Sequence, residues 1–157
     1  MRKVDEVDDQ HYIFGTLLNL SNAIDTVLDR DLKEFDLTSK QWFLALVIDN
    51  LFDEMPSITE VSKAMGSSHQ NVKQVALKLE KKGLLDFVKD PKDGRRTKLK
   101  LTEKSLGVWK QTHSKGEGFT DQLFEGIGNA ELAITKSVLA KMQINMNLME
   151  DDKIDKT

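Results

Sequence analysis

Between Pro56 and Gly83 the apolar residues fall into two short runs. Ile58, Val61 and Met65 recur three and four apart, Gly66 interrupts them, and Val72, Val75, Ala76 and Leu79 take up the same spacing until Gly83. Positions three and four apart share one face of a helix, so the stretch predicts two short helices with one buried stripe each. Ser57 with Glu60, or alternatively Thr59, can cap the first, and Gly66 stops it. Ser68 is the natural N-cap of the second, which Gly83 closes with Lys81 and Lys82 in the last turn. Two helices about three residues apart, with one glycine in the turn, describe a helix-turn-helix.

A hairpin follows. Leu84 to Lys89 and Arg96 to Leu101 are short runs, the second alternating Thr97, Leu99 and Leu101 with Lys98 and Lys100, and DPKDG between them is turn chemistry. A basic hairpin directly after a helix-turn-helix is a wing. The expected fold class is therefore mainly α with a small β-hairpin: a winged helix-turn-helix.

The flanks read as long helices. From Gln10 to Glu34 the positions Ile13, Phe14, Leu17, Leu20, Ile24, Val27, Leu28 and Leu32 make one amphipathic stripe without proline. In Leu37-Thr38-Ser39-Lys40-Gln41-Trp42, Thr38 and Gln41 form a capping box and Leu37 with Trp42 the hydrophobic staple around it. A second helix then runs from Ser39 to Leu51, and Pro56 marks the turn after it. Thr102 is expected to cap a long helix reaching Phe124, with a bend or weak point at Gly116 and Gly118, each costing about 1 kcal/mol relative to alanine. Gly126 and Gly128 break the chain again, Asn129 caps, and a last helix runs to about Met149 with a heptad seam of Leu132, Thr135, Leu139, Met142, Met146 and Met149. That seam belongs either to a subunit interface or to an intramolecular core. The tail from Glu150 to Thr157 is charged and expected to fray, and its Asp151/Asp152, like Asp8/Asp9, reads as solvated charge. No repeat or low-complexity linker appears, so residues 1–157 are expected to pack as one domain. Within it, 57–102 is the winged helix-turn-helix, and 9–36 and 103–149 the helical dimerisation part.

Charge sharpens this division. The chain carries a net charge of −3. Yet residues 57–102 hold eleven Lys and Arg against five Asp and Glu, a surplus of six, so the remainder is nine negative. A basic middle between acidic ends suits a middle that faces an anion, although a solvated charged face reads the same way.

On the second short helix, turning by 100 degrees per residue with Val72, Val75, Ala76 and Leu79 inward leaves Gln70, Lys73, Gln74, Leu77 and Lys81 outward, with His69 and Asn71 at the borders. The N-terminal half of such a helix enters the major groove of DNA, which nominates Ser67, Ser68, His69, Gln70, Asn71, Lys73 and Gln74. Asn and Gln pair bidentately with adenine, so Gln70 and Gln74, one turn apart, are the first candidates for base contacts. The wing tip offers Arg95 and Arg96 to a minor groove, and Asp93 is placed to orient Arg95 through a charge-assisted hydrogen bond. An exposed Leu77 finds no use in this scheme. A plain polar face, and an ion pair serving only the turn, are the alternatives.

The stretch GSSHQNVKQVALKLEKKG followed by DPKDGRRTKLKLT resembles the recognition helix and wing of the MarR family. Asp93 and Arg95 fall on that family's Asp-x-Arg signature, and Leu99, Leu101 and Thr102 on its Leu-x-Leu-Thr; LTSKQW is similar as well. The resemblance implies an interlocked winged-helix dimer, Arg95 at the minor groove and a small-molecule effector pocket between the dimerisation and DNA-binding parts. Ser67, where an apolar residue is common, departs from the pattern and is expected to loosen the turn.

Other chemistries are disfavoured. Without cysteine there is no disulfide, thiolate metal site or cysteine switch, and the cytoplasm is the expected compartment. The longest apolar run, Trp42 to Ile48, is too short to span a bilayer, and the acidic N-terminus lacks a signal-peptide pattern. His11, His69 and His113 are scattered, so neither a metal nor another cofactor is expected. No phosphate loop or nucleophile motif is present, so an enzyme is not expected. The function expected is a sequence-specific DNA-binding transcriptional regulator. It would be a ligand-responsive repressor that binds double-stranded DNA at a pseudo-palindromic operator as a homodimer. A winged-helix adaptor docking an acidic protein, or a small-molecule binding protein without DNA recognition, are the alternatives.

Overall fold

The computed structural model describes residues 7–154, and side chains for residues 7–150. In order come α1 (Asp9–Leu32) with a 3-10 turn at Lys33–Phe35, α2 (Ser39–Leu51), α3 (Ile58–Met65), α4 (His69–Lys81), β1 (Leu85–Lys89), β2 (Thr97–Leu101), α5 (Glu103–Leu123) and α6 (Asn129–Ile154). The fold is mainly α with one antiparallel hairpin, as the residue pattern predicts. The described residues divide into two compact units, one ending at Lys115 and the other beginning at Gly116.

The first unit is built on one apolar cluster. Leu32 and Leu37, Leu44, Val47 and Ile48 of α2, Val61 of α3, Val72, Val75, Ala76 and Leu79 of α4, and Leu84, Leu85 and Leu99 of the hairpin are all buried in it. The stripe of α4 is buried as its spacing predicts, whereas α1 contributes only Leu32 fully and leaves Ile13, Phe14 and Leu20 exposed; removal of the shared apolar area from water holds the unit together. Trp42 and Trp109 pack against its edge.

Caps set where these helices begin. Thr38 Oγ1 accepts the Gln41 amide at 3.3 Å while Gln41 Oε1 accepts that of Thr38 at 3.3 Å, the expected box. Ser39, buried behind it, is tied to α1 on two sides, its hydroxyl donating to Asp25 at 2.8 Å and its amide to Asp29 at 2.5 Å. Asp8 is solvent-exposed, as expected, and has a structural role as well. Its carboxylate caps α1, accepting the amides of His11 at 3.2 Å and Gln10 at 3.0 Å, and chiefly the bonds to the His11 amide and ring hold it below the usual carboxylate range.

The second unit departs from expectation at both ends of its last helix. α5 continues through Gly116 and Gly118, and the division between the two units falls at Gly116. A glycine costs a helix only about 1 kcal/mol, which its neighbours' hydrogen bonds offset. Gly126, with φ of +78°, makes the turn before α6. Asn129 is the first residue of α6 and not its cap; the carbonyl of Gly128 accepts the first helical bond from Leu132 at 3.0 Å, and Glu131 accepts the Gly128 amide at 2.8 Å. α6 also continues past Met149 to Ile154, so the chain does not fray where the charged residues begin; residues 155–157, and the side chains of Asp151 and Asp152, lie outside the described residues.

Candidate nucleic-acid interface

The turn between α3 and α4 is held by backbone geometry. Ser57 Oγ accepts the Glu60 amide at 3.2 Å, so Ser57 and not Thr59 caps α3. Gly66 ends that helix with φ of +58°, a conformation that costs a residue with a Cβ, and the Ser67 amide reaches back to the Ser62 carbonyl at 2.9 Å. Ser68 Oγ then caps α4 by accepting the Asn71 amide at 3.2 Å, and the Asn71 side-chain amide donates to Ser67 Oγ at 2.7 Å. Ser67 is half-buried and bonded on both sides, so it does not leave the turn loose.

On α4 the buried residues are Val72, Val75, Ala76 and Leu79, and His69, Gln70, Asn71, Lys73, Gln74 and Lys81 are exposed. Leu77, expected to face outward, is half-buried, because a residue at the edge of the buried stripe is covered by its neighbours. The helix ends in a Schellman motif: the Gly83 amide bonds the Glu80 carbonyl at 2.8 Å and the Leu84 amide that of Leu79 at 3.0 Å, with φ of +70° at Gly83. One residue later β1 begins.

In the hairpin Leu85 pairs with Leu101, Phe87 with Leu99 and Val88 with Lys98. Its tip is closed by the Asp90 amide on the Arg96 carbonyl at 2.9 Å and the Arg96 amide on the Asp93 carbonyl at 2.8 Å. One Asp93 oxygen accepts both the amide and Nε of Arg95, each at 3.2 Å, and the other lies 3.4 Å from Arg96 Nε. Asp93 therefore engages both arginines, where the residue pattern predicted one. The Arg95 side chain is 93% exposed. The candidates thus form two bonded sets, Ser67, Ser68 and Asn71 at the start of α4, and Asp93, Arg95 and Arg96 at the tip; no hydrogen bond or ion pair joins the two among the described residues.

The basic stretch carries less open charge than its composition suggests. Lys92 pairs with Glu54 at 3.0 Å, Lys82 with Asp36 at 3.3 Å, and Lys98 with Glu60 at 3.2 Å and more distantly with Asp90 at 4.0 Å. Lys92 and Lys98 lie 38 residues from Glu54 and Glu60, beyond any local pattern. Glu60 is held down to a pKa of about 2, chiefly because its carboxylate accepts the Ser57 hydroxyl and amide, each at 2.7 Å, and next because of Lys98. By contrast, Lys63, Lys73 and Lys81 have no carboxylate within ion-pairing distance among the described residues.

Two clefts, which no residue motif signalled, flank Trp42. One of about 380 Å³ lies between α1 and α2, lined by Leu17, Leu20, Ile24, Leu28, Trp42 and Phe43 with Asp25 and Ser39 among them. The other, about 440 Å³, lies between α2 and α5 and is lined by Leu46, Asp49, Asn50, Leu106, Trp109 and His113 as well as Trp42. The Trp42 indole donates to the buried Thr112 hydroxyl at 3.2 Å. No group of three or more His, Asp or Glu among the described residues is placed to hold a metal ion, and no described helix is long and apolar enough to cross a membrane.

Residues 35–96, which span α2 to the wing tip, match the sequence profile of the MarR family. The fold recurs in solved structures of low identity. A MarR/EmrR family transcriptional regulator from Acinetobacter sp. ADP1 superposes with a TM-score of 0.81 at 17% identity, over 90% of this chain and 99% of that one. MepR of S. aureus, solved as a DNA complex, gives 0.73 at 22% identity over 87% and 95% of the two chains. BpsR of Bordetella bronchiseptica, whose DNA binding is regulated by 6-hydroxynicotinic acid, gives 0.70 at 23% over 82% and 91%. The matched segment runs through α2 and the helix-turn-helix as far as the wing tip, and over it the chain is similar to the MarR family.

Proposed function

We propose that the protein is a DNA-binding transcriptional regulator, a repressor released by a small-molecule effector, and not a catalyst. The observation that carries this reading is the exposed polar face of α4, with His69, Gln70, Asn71, Lys73 and Gln74 clear of the core, on the same unit as a wing tip whose arginines are held out by Asp93. Gln70 and Gln74 are assigned to base edges in the major groove, Ser67, Ser68 and Lys73 to the backbone beside them, and Arg95 and Arg96 to the minor groove. The DNA complex formed by MepR supports the same use of the fold.

A homodimer is part of the proposal. Tyr12, Phe14 and Leu18 of α1 and, on the other unit, Ile134, Ile144 and Leu148 of α6 are each more than half exposed in the single chain, apolar side chains that water disfavours and a second copy can cover. Residues 9–36 and 103–149 are accordingly assigned to dimerisation. Two copies of α4 about one DNA turn (~34 Å) apart imply a pseudo-palindromic operator. The clefts beside Trp42 are the candidate effector sites, in line with the ligand control of BpsR. An effector that binds the arrangement unable to seat both helices shifts the population away from DNA.

The test is a salt titration of DNA affinity with the intact protein. About 8 phosphates contacted by a dimer give a slope near −7 in log affinity against log salt. Arg95→Glu should weaken binding at least tenfold. A protein that retains no DNA at low salt fails the reading and favours the adaptor; sedimentation of a lone chain fails the dimer.

A further inference from the structure

Charge counting places Lys98 among the residues available to phosphate, and its surroundings argue otherwise. Its side chain is only 20% exposed, with Nζ between the carboxylates of Glu60 and Asp90. Its stem lies on the strand opposite Val88. A phosphate approaching Nζ would have to displace one carboxylate and tolerate the other.

Glu60 is equally committed. The oxygen that meets Lys98 also accepts the Ser57 amide and hydroxyl, so it is fixed at the first turn of α3. Next to Lys98 on β2, the Leu99 amide donates to the Pro56 carbonyl at 2.8 Å. Residues 56–60 therefore grip β2 at two consecutive positions, one by backbone and one by charge. From that grip β2 leads back through Thr97 to the tip, where Asp93 orients Arg95 and Arg96.

We propose that Glu60 and Lys98 are positioning residues for the wing: the pair fixes β2 against the start of α3 and so sets where Arg95 arrives, while Lys98 itself touches no nucleic acid. This rests on the DNA-binding reading above and adds to it a division among the basic residues, between those that meet DNA and those that hold the wing.

The two roles give opposite signatures in a salt titration. Removing a residue that neutralises a phosphate takes about 0.9 out of the slope for each phosphate left bare. A positioning residue lowers affinity at every salt concentration by a similar factor. DNA affinity is measured across a salt series for the intact wild-type protein and for Lys98→Met, Lys98→Arg, Glu60→Gln and Arg95→Ala, with thermal unfolding confirming that each is folded. Lys98→Met should bind roughly three- to tenfold more weakly with the wild-type slope, Lys98→Arg should recover most of the affinity, and Arg95→Ala should flatten the slope. Glu60→Gln is the sharper arm. Removing a negative charge near DNA strengthens binding by electrostatics alone, whereas release of the grip weakens it. Tighter binding by Glu60→Gln, unchanged affinity in Lys98→Met, or a Lys98→Met slope as flat as that of Arg95→Ala would each overturn the assignment while leaving DNA binding intact. Absence of any salt-dependent binding by the wild type would overturn both.

Discussion

The ammonium group of Lys82 donates to Gln41 Oε1 at 3.1 Å, and that oxygen also accepts the Thr38 amide at 3.3 Å. A residue just past the end of α4 therefore shares its acceptor with the cap of α2. Lys82 also bonds the Asp36 carbonyl and pairs with its carboxylate, while Asp36 holds a left-handed conformation with φ of +54°. In turn the Lys82 carbonyl accepts Lys104 Nζ of α5 at 2.7 Å, so this corner joins α2, α4 and α5.

The two halves of that interaction should differ when removed. Lys82→Met gives up the bonds to Gln41 and Asp36 but leaves Gln41 bonded to Thr38; because Asp36 is exposed and its ion pair screened, a loss of about 1 kcal/mol is expected. Gln41→Leu leaves the Thr38 amide without its acceptor and takes one partner from Lys82, which keeps Asp36, so about 2 kcal/mol is expected. Urea midpoints at constant slope would measure both; a smaller loss for Gln41→Leu would show that the oxygen is not the shared support described.

Opposite faces of α4 should respond differently to truncation. Leu79 is fully buried, so Leu79→Ala should destabilise the fold by about 2–5 kcal/mol. Lys73→Ala, on the exposed face, should change stability by less than about 0.5 kcal/mol and fall instead on DNA affinity. Chemical denaturation separates the two, and comparable losses would show that the helix is turned otherwise.

Gly66 isolates a backbone effect. Nothing lies within 4 Å of a Cβ built there, so Gly66→Ala meets no clash and pays only for φ of +58°. The expected loss is about 1–2 kcal/mol, read as a fall in Tm. A neutral result would mean that the turn relaxes to another conformation.

Stability in acid should carry the mark of Glu60. Its folded pKa is depressed from 4.5 to about 2 by Ser57 first and Lys98 second. A depressed carboxylate contributes stability that is fully present above pH 4.5 and is lost as the pH falls toward 2. The Glu60 side chain is half exposed, so solvent reduces the size of the effect but not its sign. Glu60→Gln should flatten the acid limb of unfolding measured between pH 4.5 and 2, and an identical limb in the variant would place the stabilising carboxylates elsewhere.

Much of this was legible in the residues because it is local. The boxes at Thr38 and Ser57, the cap at Ser68, the left-handed glycines 66 and 83 and the face of β2 that turns inward are set by residues a few positions apart. What escaped was set by distance or by small margins. The partners of Lys82, Lys92 and Lys98 are remote in the chain, so charge counting overstated the open positive surface. The cap of α6 went to Gly128 and not to Asn129, because which of two adjacent turn residues stays outside a helix depends on the backbone approach more than on the side chain. The clefts left no trace in the sequence, since their walls come from α1, α2 and α5 and consist of ordinary apolar residues.

Trp42 forms a wall of both hollows, and its indole is tethered to Thr112. A guest lodged on either side would touch the same ring. Of the chain's two tryptophans this is the one that both would disturb, which gives the protein an intrinsic optical probe at the place where two occupants would meet.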